Sequence, residues 1–576
     1  MNSYEIIKNK LQALAGEGVI FSCDQPEDSA HGDYSTNIAF ALSKKKGVSP
    51  QQCAEECILV LREKLGDVVE KIEVAGVGFI NFYLKDDVRT DGVEEIAAHG
   101  ILRPLRDEKI IIEYTDPNPF KLFHIGHIVP NAIGESLARI YESKGYEVTR
   151  ICYQGDKGMH VAKTIFGMQW FEKNIADDRD LYQEFFDDAT TLTMKVSILG
   201  MAYTVGNSLF ENAQTDEEKN IFKELNKTIY QNDPSVYDLY TRGKQVSLDY
   251  FETLYKKLGT QFDYYIFESE VADRGARIVR ENLGTVFEES DGAIVYIGEK
   301  VGLHTRVFIN SEGLPTYEAK ELGNTYKKVA LIPGAAQSLV VTAHEIDEYF
   351  KVIKAALTEI DKPLADKLVH ISHGMLRLPE GKMSSRKGNI IPAEELINQV
   401  CDHLRTRLDN MKVSNEDKEQ LLNDIAVGAI KFAILKSAPG KDMIFDFEKS
   451  ISFEGDSGPY LQYTHARLCA LLDKAKVQEI SFEHGYVVSA PERELEKTLI
   501  GYHEVLEKAY QGLAPQHIVQ YLLLLTRVFN NLYSRIQIVD ENDKDKSSYY
   551  VMLATATKSI LAYGLNLLGI KAPERM

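Results

Sequence analysis

A β-branched run at residues 109–116 places the strongest constraint on the fold of this 576-residue chain. The run, KIIIEYTD, ends at Pro117 and is followed by a loop, a helical pattern at 132–144 and a second strand pattern at 146–153. Strand, helix and strand with short connections are typical of a parallel sheet covered by helices. The sequence therefore predicts an α/β domain, and such sheets bind ligands at the carboxyl ends of their strands.

The rest of the chain predicts further domains, because 576 residues exceed the size at which single cores stop growing. Residues 1–106 combine charged helical patterns with an alternating, strand-like segment, which predicts a small α+β domain. Residues 107–440 predict the α/β domain, with a charged helical insertion at about 170–270. Its later strand-like runs are 329–332, 339–342 and 368–371. Residues 441–576 show apolar helical faces and predict an all-helical bundle.

Composition excludes a disordered chain and a membrane-spanning chain, and it leaves nucleic-acid binding open. A chain with 44% hydrophobic and 26% charged residues is globular, since disordered chains have few large apolar residues. The net charge of -20 does not exclude a nucleic-acid partner, because basic residues can cluster locally. The six cysteines show no Cys-x-x-Cys spacing, and no apolar run approaches roughly 18 residues. We therefore expect free thiols, a cytoplasmic location and no membrane segment.

The loop after the first strand carries two histidines, His124 and His127, separated by Ile125 and Gly126. Two imidazoles one turn apart at the start of a helix can donate hydrogen bonds to phosphate oxygens, and the helix dipole favours the same anion. Gly126 lets an adenine or a ribose lie against the backbone. The pattern predicts a nucleoside triphosphate site, although such a pair can also simply cap and pack its helix.

A second motif, GKMSSRKGN at 381–389, lies beyond another strand-like run and before a helix that starts near Pro392. A glycine-flanked loop with three cations and two hydroxyls can close over a pyrophosphate and stabilise charge that develops at the α-phosphate. The alternative is a solvated charged loop. Its candidate ligand contacts are Lys382, Met383, Ser384, Ser385 and Lys387.

In this order, the two motifs resemble the HIGH and KMSKS signatures of class I aminoacyl-tRNA synthetases. Ser385 stands where that signature has its second lysine, and Lys121 or Lys387 could supply the missing cation. Arginyl enzymes often show this departure. Five further segments resemble the arginyl-tRNA synthetase family: 31–37, 76–82, 155–158, 458–467 and 564–576. The resemblance implies a class I Rossmann-like parallel-sheet catalytic domain, an N-terminal α+β domain that contacts the tRNA D-loop, and a C-terminal all-α anticodon-binding bundle.

The resemblance also assigns an arginine pocket. A guanidinium is a planar set of donors whose charge must be matched by carboxylates when it is buried. By resemblance, Glu113 and Glu321 face the guanidinium, and Tyr317 flanks it. Asn118 holds the α-amino group. Glu321 stands where the family commonly has aspartate, so the charge is kept on a side chain one methylene longer. An exposed helix would carry Tyr317 and Glu321 at i and i+4 equally well.

The implied reaction needs no protein nucleophile. His124 and His127 contact the phosphates of ATP, Lys382 and Lys121 contact the departing pyrophosphate, and Mg²⁺ accompanies ATP without a tightly bound metal site in the protein. The implied partners are L-arginine and tRNA(Arg), with tRNA bound before activation, and the family implies a monomer. Two alternatives stay open. One is a class I synthetase for another amino acid; a cysteinyl enzyme should show zinc-ligand cysteines and an editing enzyme a larger insertion. The other is a tRNA-binding protein that has lost catalysis.

Overall fold

The computed structural model describes residues 2–101, 104–174, 181–377, 391–405, 415–477, 488–540 and 542–576. They form two compact units. Unit 1 joins Met1–Arg103 to Ser452–Met576, and unit 2 is Pro104–Ile451. The domain boundaries drawn at 106 and 440 remain predictions, because this division groups the first and last segments together.

The first segment of unit 1 is an α+β module, as predicted. Its helices are α1 (Ser3–Ala15), α2 (Ile38–Lys46), α3 (Pro50–Leu65) and α4 (Asp86–His99). Its strands, β1 (Cys23–Asp24), β2 (Tyr34–Thr36), β3 (Val69–Ala75) and β4 (Phe79–Leu84), form an antiparallel sheet in the order β1-β2-β4-β3. The β3–β4 hairpin turns through Gly76 and Gly78, whose φ angles of 55° and 142° favour glycine.

Unit 2 contains the predicted parallel sheet. Its described strands are β5 (Lys109–Glu113), β6 (Glu147–Gln154), β7 (Tyr264–Phe267), β8 (Glu288–Ser290), β9 (Ala293–Tyr296), β10 (Arg306–Ile309), β11 (Gln337–Ala343), β12 (Leu368–His373), β13 (Leu376–Arg377) and β14 (Met443–Ile444). Within this part of the chain, five strands pair in parallel in the order β12-β11-β5-β6-β7. The chain leaves β5 toward β6 and β7 on one side, and later places β11 and β12 on the other. The carboxyl end of β5 therefore lies at the point where such sheets bind ligands.

Helices make up the rest of the described regular structure of unit 2. They are α5 (Ile125–Ser143), α6 (Met159–Asn174), α7 (Leu181–Phe186), α8 (Leu192–Glu211), α9 (Asp216–Tyr230), α10 (Pro234–Leu258), α11 (Glu268–Glu281), α12 (Tyr317–Leu331), α13 (Asp347–Ile360), α14 (Lys362–Lys367), α15 (Ala393–Arg405), α16 (Asn415–Leu435) and α17 (Phe447–Ser450). Helices α6 to α10 account for most of the segment predicted as a helical insertion. Its last residues differ from that prediction, because 264–267 form β7 at the edge of the central sheet.

One predicted strand is wrong. Residues 329–331 form the last turn of α12, and Ile332 is its C-cap. Val329 packs against the core under α13, whereas Leu331 and Ile332 pack against the core under β5 and β6. Four consecutive apolar residues fit the end of a helix between two apolar surfaces as well as they fit a strand, so their periodicity could not distinguish the two.

The second segment of unit 1 is the predicted helical bundle. Its helices are α18 (Gly458–Val477), α19 (Ala490–Ile500), α20 (Tyr502–Gln511), α21 (Gln516–Tyr533) and α22 (Lys544–Leu567). Helix α4 of the first segment packs against α19 and α22. The two segments of unit 1 therefore share one folded body.

Candidate active site

The loop from β5 to α5 is held in an unusual backbone conformation. Three of its non-glycine residues have a positive φ: Thr115 at 84°, Asp116 at 47° and Phe120 at 66°. A β-branched residue rarely adopts this region, so surrounding contacts must hold it there. The Asn131 side-chain amide donates to Thr115 Oγ1 at 3.1 Å, and the Tyr153 N–H donates to Asp116 Oδ1 at 2.7 Å. The loop is thus fastened to α5 and β6.

The two histidines cap the helix that follows this loop. His124 is the N-cap of α5, and its Nδ1 accepts a hydrogen bond of 3.1 Å from the Gly126 N–H. His127 Nδ1 accepts one of 3.1 Å from the His124 N–H, and the two rings stack with centroids 3.8 Å apart. Because each Nδ1 is an acceptor, each ring carries its proton on Nε2. The pair therefore offers two Nε2–H donors at a helix N-terminus.

Both imidazoles are neutral at physiological pH. Burial, reinforced by Lys121, lowers the pKa of His124 to about 4. Burial, then His124 and Lys121, place the pKa of His127 well below its usual range. Burial and Lys163 also lower the pKa of Lys121, whose charge is felt at both rings. Two kinds of group that suit an anion thus lie at this end of the sheet. The neutral imidazoles can donate hydrogen bonds, and Lys121 supplies the positive charge.

Gly126 has a structural role besides the one predicted from the sequence. A Cβ on Gly126 would lie 2.8 Å from His124 Cε1 and 2.9 Å from its Nδ1. Side-chain atoms do not approach so closely, so the ring of His124 could not keep its capping position. A glycine is therefore required by the cap itself.

A buried ionic cluster, which we call the Lys328 cluster, consists of Glu113, Glu321, Asn324 and Lys328. Glu113 ends β5, and the other three share one face of α12. All four are at most 4% exposed. Lys328 Nζ lies 2.9 Å from Glu113 Oε2 and 3.8 Å from Glu321 Oε1. The structure thus brings Glu113 and Glu321 together, and the exposed-helix interpretation is wrong for Glu321.

In the Lys328 cluster, burial and neighbouring charges act on the pKa values in opposing directions. Burial and the neighbouring Glu113 raise the pKa of Glu321 to about 8, against the opposing effect of Lys328. Although burial disfavours its charge, Glu113 and Glu321 raise the pKa of Lys328, which stays protonated. Burial and Glu113 also place the pKa of Asp116 well above its usual range. Without a ligand, the cluster at neutral pH carries a largely protonated Glu321.

Asn118 lies in a second polar group beside this cluster. Its Oδ1 accepts a 2.8 Å hydrogen bond from the Gly155 N–H. A Cβ on Gly155 would be 2.8 Å from that oxygen and 3.0 Å from Glu268 Oε1, so the glycine allows the two side chains to approach. Glu268 Oε2 is paired with Lys320 Nζ at 2.8 Å. One amide oxygen and one carboxylate therefore converge at this point.

Tyr317 is the most open of the predicted pocket residues. It begins α12 and is 64% exposed. Lys320 Nζ lies 5.2 Å from its ring centroid, and its carbonyl accepts a 3.0 Å hydrogen bond from the Tyr349 hydroxyl. Tyr317 is thus largely exposed and is not a member of the buried cluster.

Comparisons with known proteins match the whole chain. A family model described as tRNA synthetases class I (R), catalytic domain, matches residues 95–447. Models of the arginyl tRNA synthetase N terminal domain and of the DALR anticodon binding domain match residues 3–84 and 461–576. The chain belongs to the class I arginyl-tRNA synthetase family. Enzymes of this family use ATP.

Relatives of this arginyl-tRNA synthetase family member match most or all of its length. An arginine–tRNA ligase of Flavobacterium psychrophilum is 30% identical over 88% of this chain and 84% of its own. One of Streptococcus suis is 29% identical over 100% of both chains. The solved arginyl-tRNA synthetase of Thermus thermophilus has a TM-score of 0.81, with 24% identity over 100% of this chain and 99% of its own. The last comparison shows that the fold is shared.

The family's second signature falls outside the described residues. Lys382, Met383, Ser384, Ser385 and Lys387 lie between 378 and 390, and their roles remain predictions. Among the helices that the structure does describe, none is both long and apolar enough to span a membrane. All six cysteines are free.

Four residues of the site were missed from the sequence: Glu268, Lys320, Asn324 and Lys328. Asn324 and Lys328 stand three and seven positions after Glu321, which places them on one face of a helix. Had α12 been predicted through 331, that spacing would have revealed them. Glu268 and Lys320 carry no motif, and only the fold brings them to Asn118.

Proposed function

We propose that the protein is an arginine–tRNA ligase. It activates L-arginine with ATP and transfers it to the terminal ribose of tRNA(Arg). In the first step an oxygen of the arginine carboxylate attacks the α-phosphorus, the bond to the β-phosphate breaks, and diphosphate leaves. In the second, a ribose hydroxyl attacks the adenylate carbonyl, and AMP leaves with the electrons of the broken acyl–oxygen bond.

The observation that carries this proposal is the pairing of an anion site and a cation site at one strand end. Two neutral Nε2–H donors stand at the N-terminus of α5, and the two buried carboxylates of the Lys328 cluster lie at the end of β5. Helix N-termini bind phosphates, and carboxylates bind guanidinium groups. A site of this kind suits a triphosphate beside a cationic amino acid.

On the ATP side, His124 and His127 donate to phosphate oxygens, and Gly126 leaves the backbone open to the nucleoside. Lys121 and Lys382 neutralise the departing diphosphate, and ATP enters as its magnesium complex. Catalysis by fixed donors needs no proton transfer from the protein. The neutrality of the two imidazoles supports this role, because a ring that keeps one protonation state offers the same donor throughout the reaction.

On the arginine side, Glu113 and Glu321 hold the guanidinium, and Tyr317 flanks it. Asn118 Oδ1 has one lone pair left after accepting from Gly155, and Glu268 Oε1 lies beside it. A protonated α-amino group donates and does not accept, so this pair of oxygens suits it. Asn118 and Glu268 together therefore hold the α-amino group.

The remaining roles rest on the family. The segment 1–106 contacts the D-loop of tRNA, and 441–576 contacts its anticodon. We further propose a monomer that resides in the cytoplasm and requires bound tRNA before it activates arginine. Rapid exchange between ATP and diphosphate with arginine but without tRNA would contradict the last point.

Charging of total tRNA with each of the twenty amino acids tests the activity. We expect arginine alone to be charged, and Lys382→Ala to reduce charging by about 100-fold, because it removes a cation from the leaving diphosphate. Lys362→Ala, which changes an exposed lysine paired with Asp366 on α14, is the control and should charge normally.

Each other outcome has a distinct meaning. Charging with a different amino acid would keep the reaction and overturn the pocket assignment. No charging, with tRNA binding retained, would favour a tRNA-binding protein that has lost catalysis.

A further inference from the structure

The Lys328 cluster uses only one oxygen of each of its carboxylates. Asn324 Nδ2 donates to Glu113 Oε2 at 2.9 Å and to Glu321 Oε1 at 3.4 Å. Lys328 Nζ approaches the same two atoms at 2.9 and 3.8 Å. Within the residues that the structure describes, Glu113 Oε1 and Glu321 Oε2 receive no hydrogen bond. The Lys328 ammonium and the Asn324 amide thus contact one oxygen of each carboxylate. They leave the other oxygen of each without a donor.

The open oxygens differ from the rest of the cluster in their contact with solvent. Lys328 Nζ and Asn324 Oδ1 are sealed from water and lack a hydrogen bond of good geometry among the described residues. Glu113 Oε1 and Glu321 Oε2 are not sealed, although both side chains are nearly buried. The two free oxygens therefore keep some contact with solvent, whereas Lys328 Nζ has none.

We propose that Lys328 is a specificity-determining positioning residue, an internal cation that, with Asn324, holds Glu113 and Glu321 as a fork of two free oxygens for the substrate guanidinium. This inference rests on the proposed function. Two carboxylates this close repel each other and tend to share a proton when they are buried. Lys328 offsets that repulsion without occupying the oxygens that bind substrate.

The net charge of the cluster decides whether the fork prefers a cationic or a neutral substrate. With Lys328 protonated and both glutamates ionised, the fork keeps one net negative charge, which a guanidinium monocation neutralises. A neutral isostere such as citrulline brings no cation, so Glu321 would stay protonated and the fork would bind it without a second charge-assisted hydrogen bond. Lys328 therefore sets the charge that the substrate must bring.

Other titratable groups face the cluster and contribute to its pH dependence. From α11 and the β5–α5 loop come Glu268 and Asp116, and from β6 and α13 come Tyr153 and Tyr349. The pKa values of both tyrosines lie well above their usual range, mainly because of burial, so they stay neutral. Burial raises the pKa of Asp116, Glu268 and Glu321. Since Glu321 has a pKa of about 8, arginine binding should release a proton and tighten as the pH rises through that value.

The test compares Lys328→Met with Lys431→Met, which removes an equally buried lysine that lies outside the cluster. Wild-type protein must first charge arginine; if it does not, the proposed function fails rather than this inference. For Lys328→Met we expect the KM for arginine to rise about 30-fold, since the fork loses both its charge balance and its geometry. The KM for ATP should stay within about twofold of wild type. Lys431→Met should leave both KM values unchanged.

The pH profile separates positioning from mere structural support. Without Lys328 the carboxylates ionise at higher pH, so the ratio of variant to wild-type KM for arginine should shrink as the pH rises from 7 to about 9. A pH-independent ratio, or a KM for arginine that matches the Lys431→Met control, would overturn the proposal. Lys328→Arg, which keeps the cation, should restore the KM to within about fivefold.

If Lys328→Met does not fold, Asn324→Leu tests the same fork, because Asn324 is the second residue that holds the two glutamates. It removes the amide that joins the two bound oxygens while keeping a similar shape. We expect the KM for arginine to rise about tenfold with the KM for ATP unchanged. An unchanged KM for arginine in this variant would also overturn the proposal.

Discussion

Two ion clusters in this molecule, each with a buried cation, use similar groups in different ways. The first, the Arg89 cluster, consists of Asp33, Asp86, Arg89 and Glu496 in unit 1. Arg89 lies 3.2 Å from Asp33 and 3.5 Å from Glu496, and it also pairs with Asp86. The second is the Lys328 cluster in unit 2, where one cation faces Glu113 and Glu321.

The clusters differ in how many neutral protein donors their carboxylates receive. In the Arg89 cluster, Asp33 Oδ2 also accepts from the Leu84 N–H at 2.7 Å, and Glu496 Oε1 accepts from Thr90 and Tyr549 at 2.9 Å. In the Lys328 cluster, one oxygen of each glutamate has no donor among the described residues. The carboxylates around Arg89 therefore receive several neutral donors from the protein besides the cation, whereas the two glutamates around Lys328 receive one shared amide besides theirs.

The largest effect of a substitution should come from removing the cation of the Arg89 cluster. Arg89→Met leaves Asp33 and Glu496 buried without their cation and should lower the stability of unit 1 by about 3–5 kcal/mol. The single tryptophan, Trp170, lies in unit 2, so hydrogen exchange of the amides at 79–84 is the better measurement. The KM for arginine should not change. A rise in that KM beyond about threefold would mean that the two clusters do not have separate roles.

The second effect should come from removing one arm of the fork. Glu321→Gln should lower kcat/KM for arginine by about 100-fold, because a charge-assisted hydrogen bond to the guanidinium becomes a neutral one. The stability of unit 2 should not fall, since the amide replaces a carboxyl group whose pKa is about 8 and which is largely neutral when empty. Glu321→Asp, which keeps the charge, should recover most of the activity. A loss in Glu321→Gln of less than about threefold would argue against the fork.

The smallest effect of a substitution should come from the histidine pair at the start of α5, whose imidazoles are neutral. Gly126→Ala places a Cβ against the ring of His124, which must leave its cap. Loss of an N-cap costs about 1 kcal/mol, and we expect the KM for ATP to rise about fivefold with the KM for arginine unchanged. In Gly200→Ala on α8, the new Cβ meets only Leu122 at an ordinary 3.6 Å, and steady-state kinetics should match wild type. An equal change in both variants would exclude the cap as the cause.

The fold was largely predictable from the sequence where local pattern decides structure. The strand at β5, helix α5 and strand β6 follow from short-range periodicity, and α5 begins at Ile125, earlier than the pattern at 132–144 suggested. The failure at 329–332 also has a local cause, because an apolar run that short fits either element.

The site was predictable only in part, because its decisive contacts are distant in the chain. Asn324 and Glu113 are 211 residues apart, and no spacing rule relates them. The positive φ angles at Thr115 and Asp116 are equally hidden, since neither residue type predicts that conformation. The motif residues predict the chemistry, and tertiary contacts decide which of the described side-chain atoms remain free.

Unit 1 has a consequence for how the chain is made. Thr90 and Glu496 form a hydrogen bond across 406 residues, so the first segment leaves the ribosome long before its partner exists. At about 5–20 residues per second, that interval lasts about 20–80 s. During this time Arg89 has Asp33 and Asp86 but not Glu496, and α4 has no bundle to cover it. Unit 2 is synthesised during this interval, so the surface of α4 that the bundle later covers stays exposed until the end of α22 at Leu567 has been made.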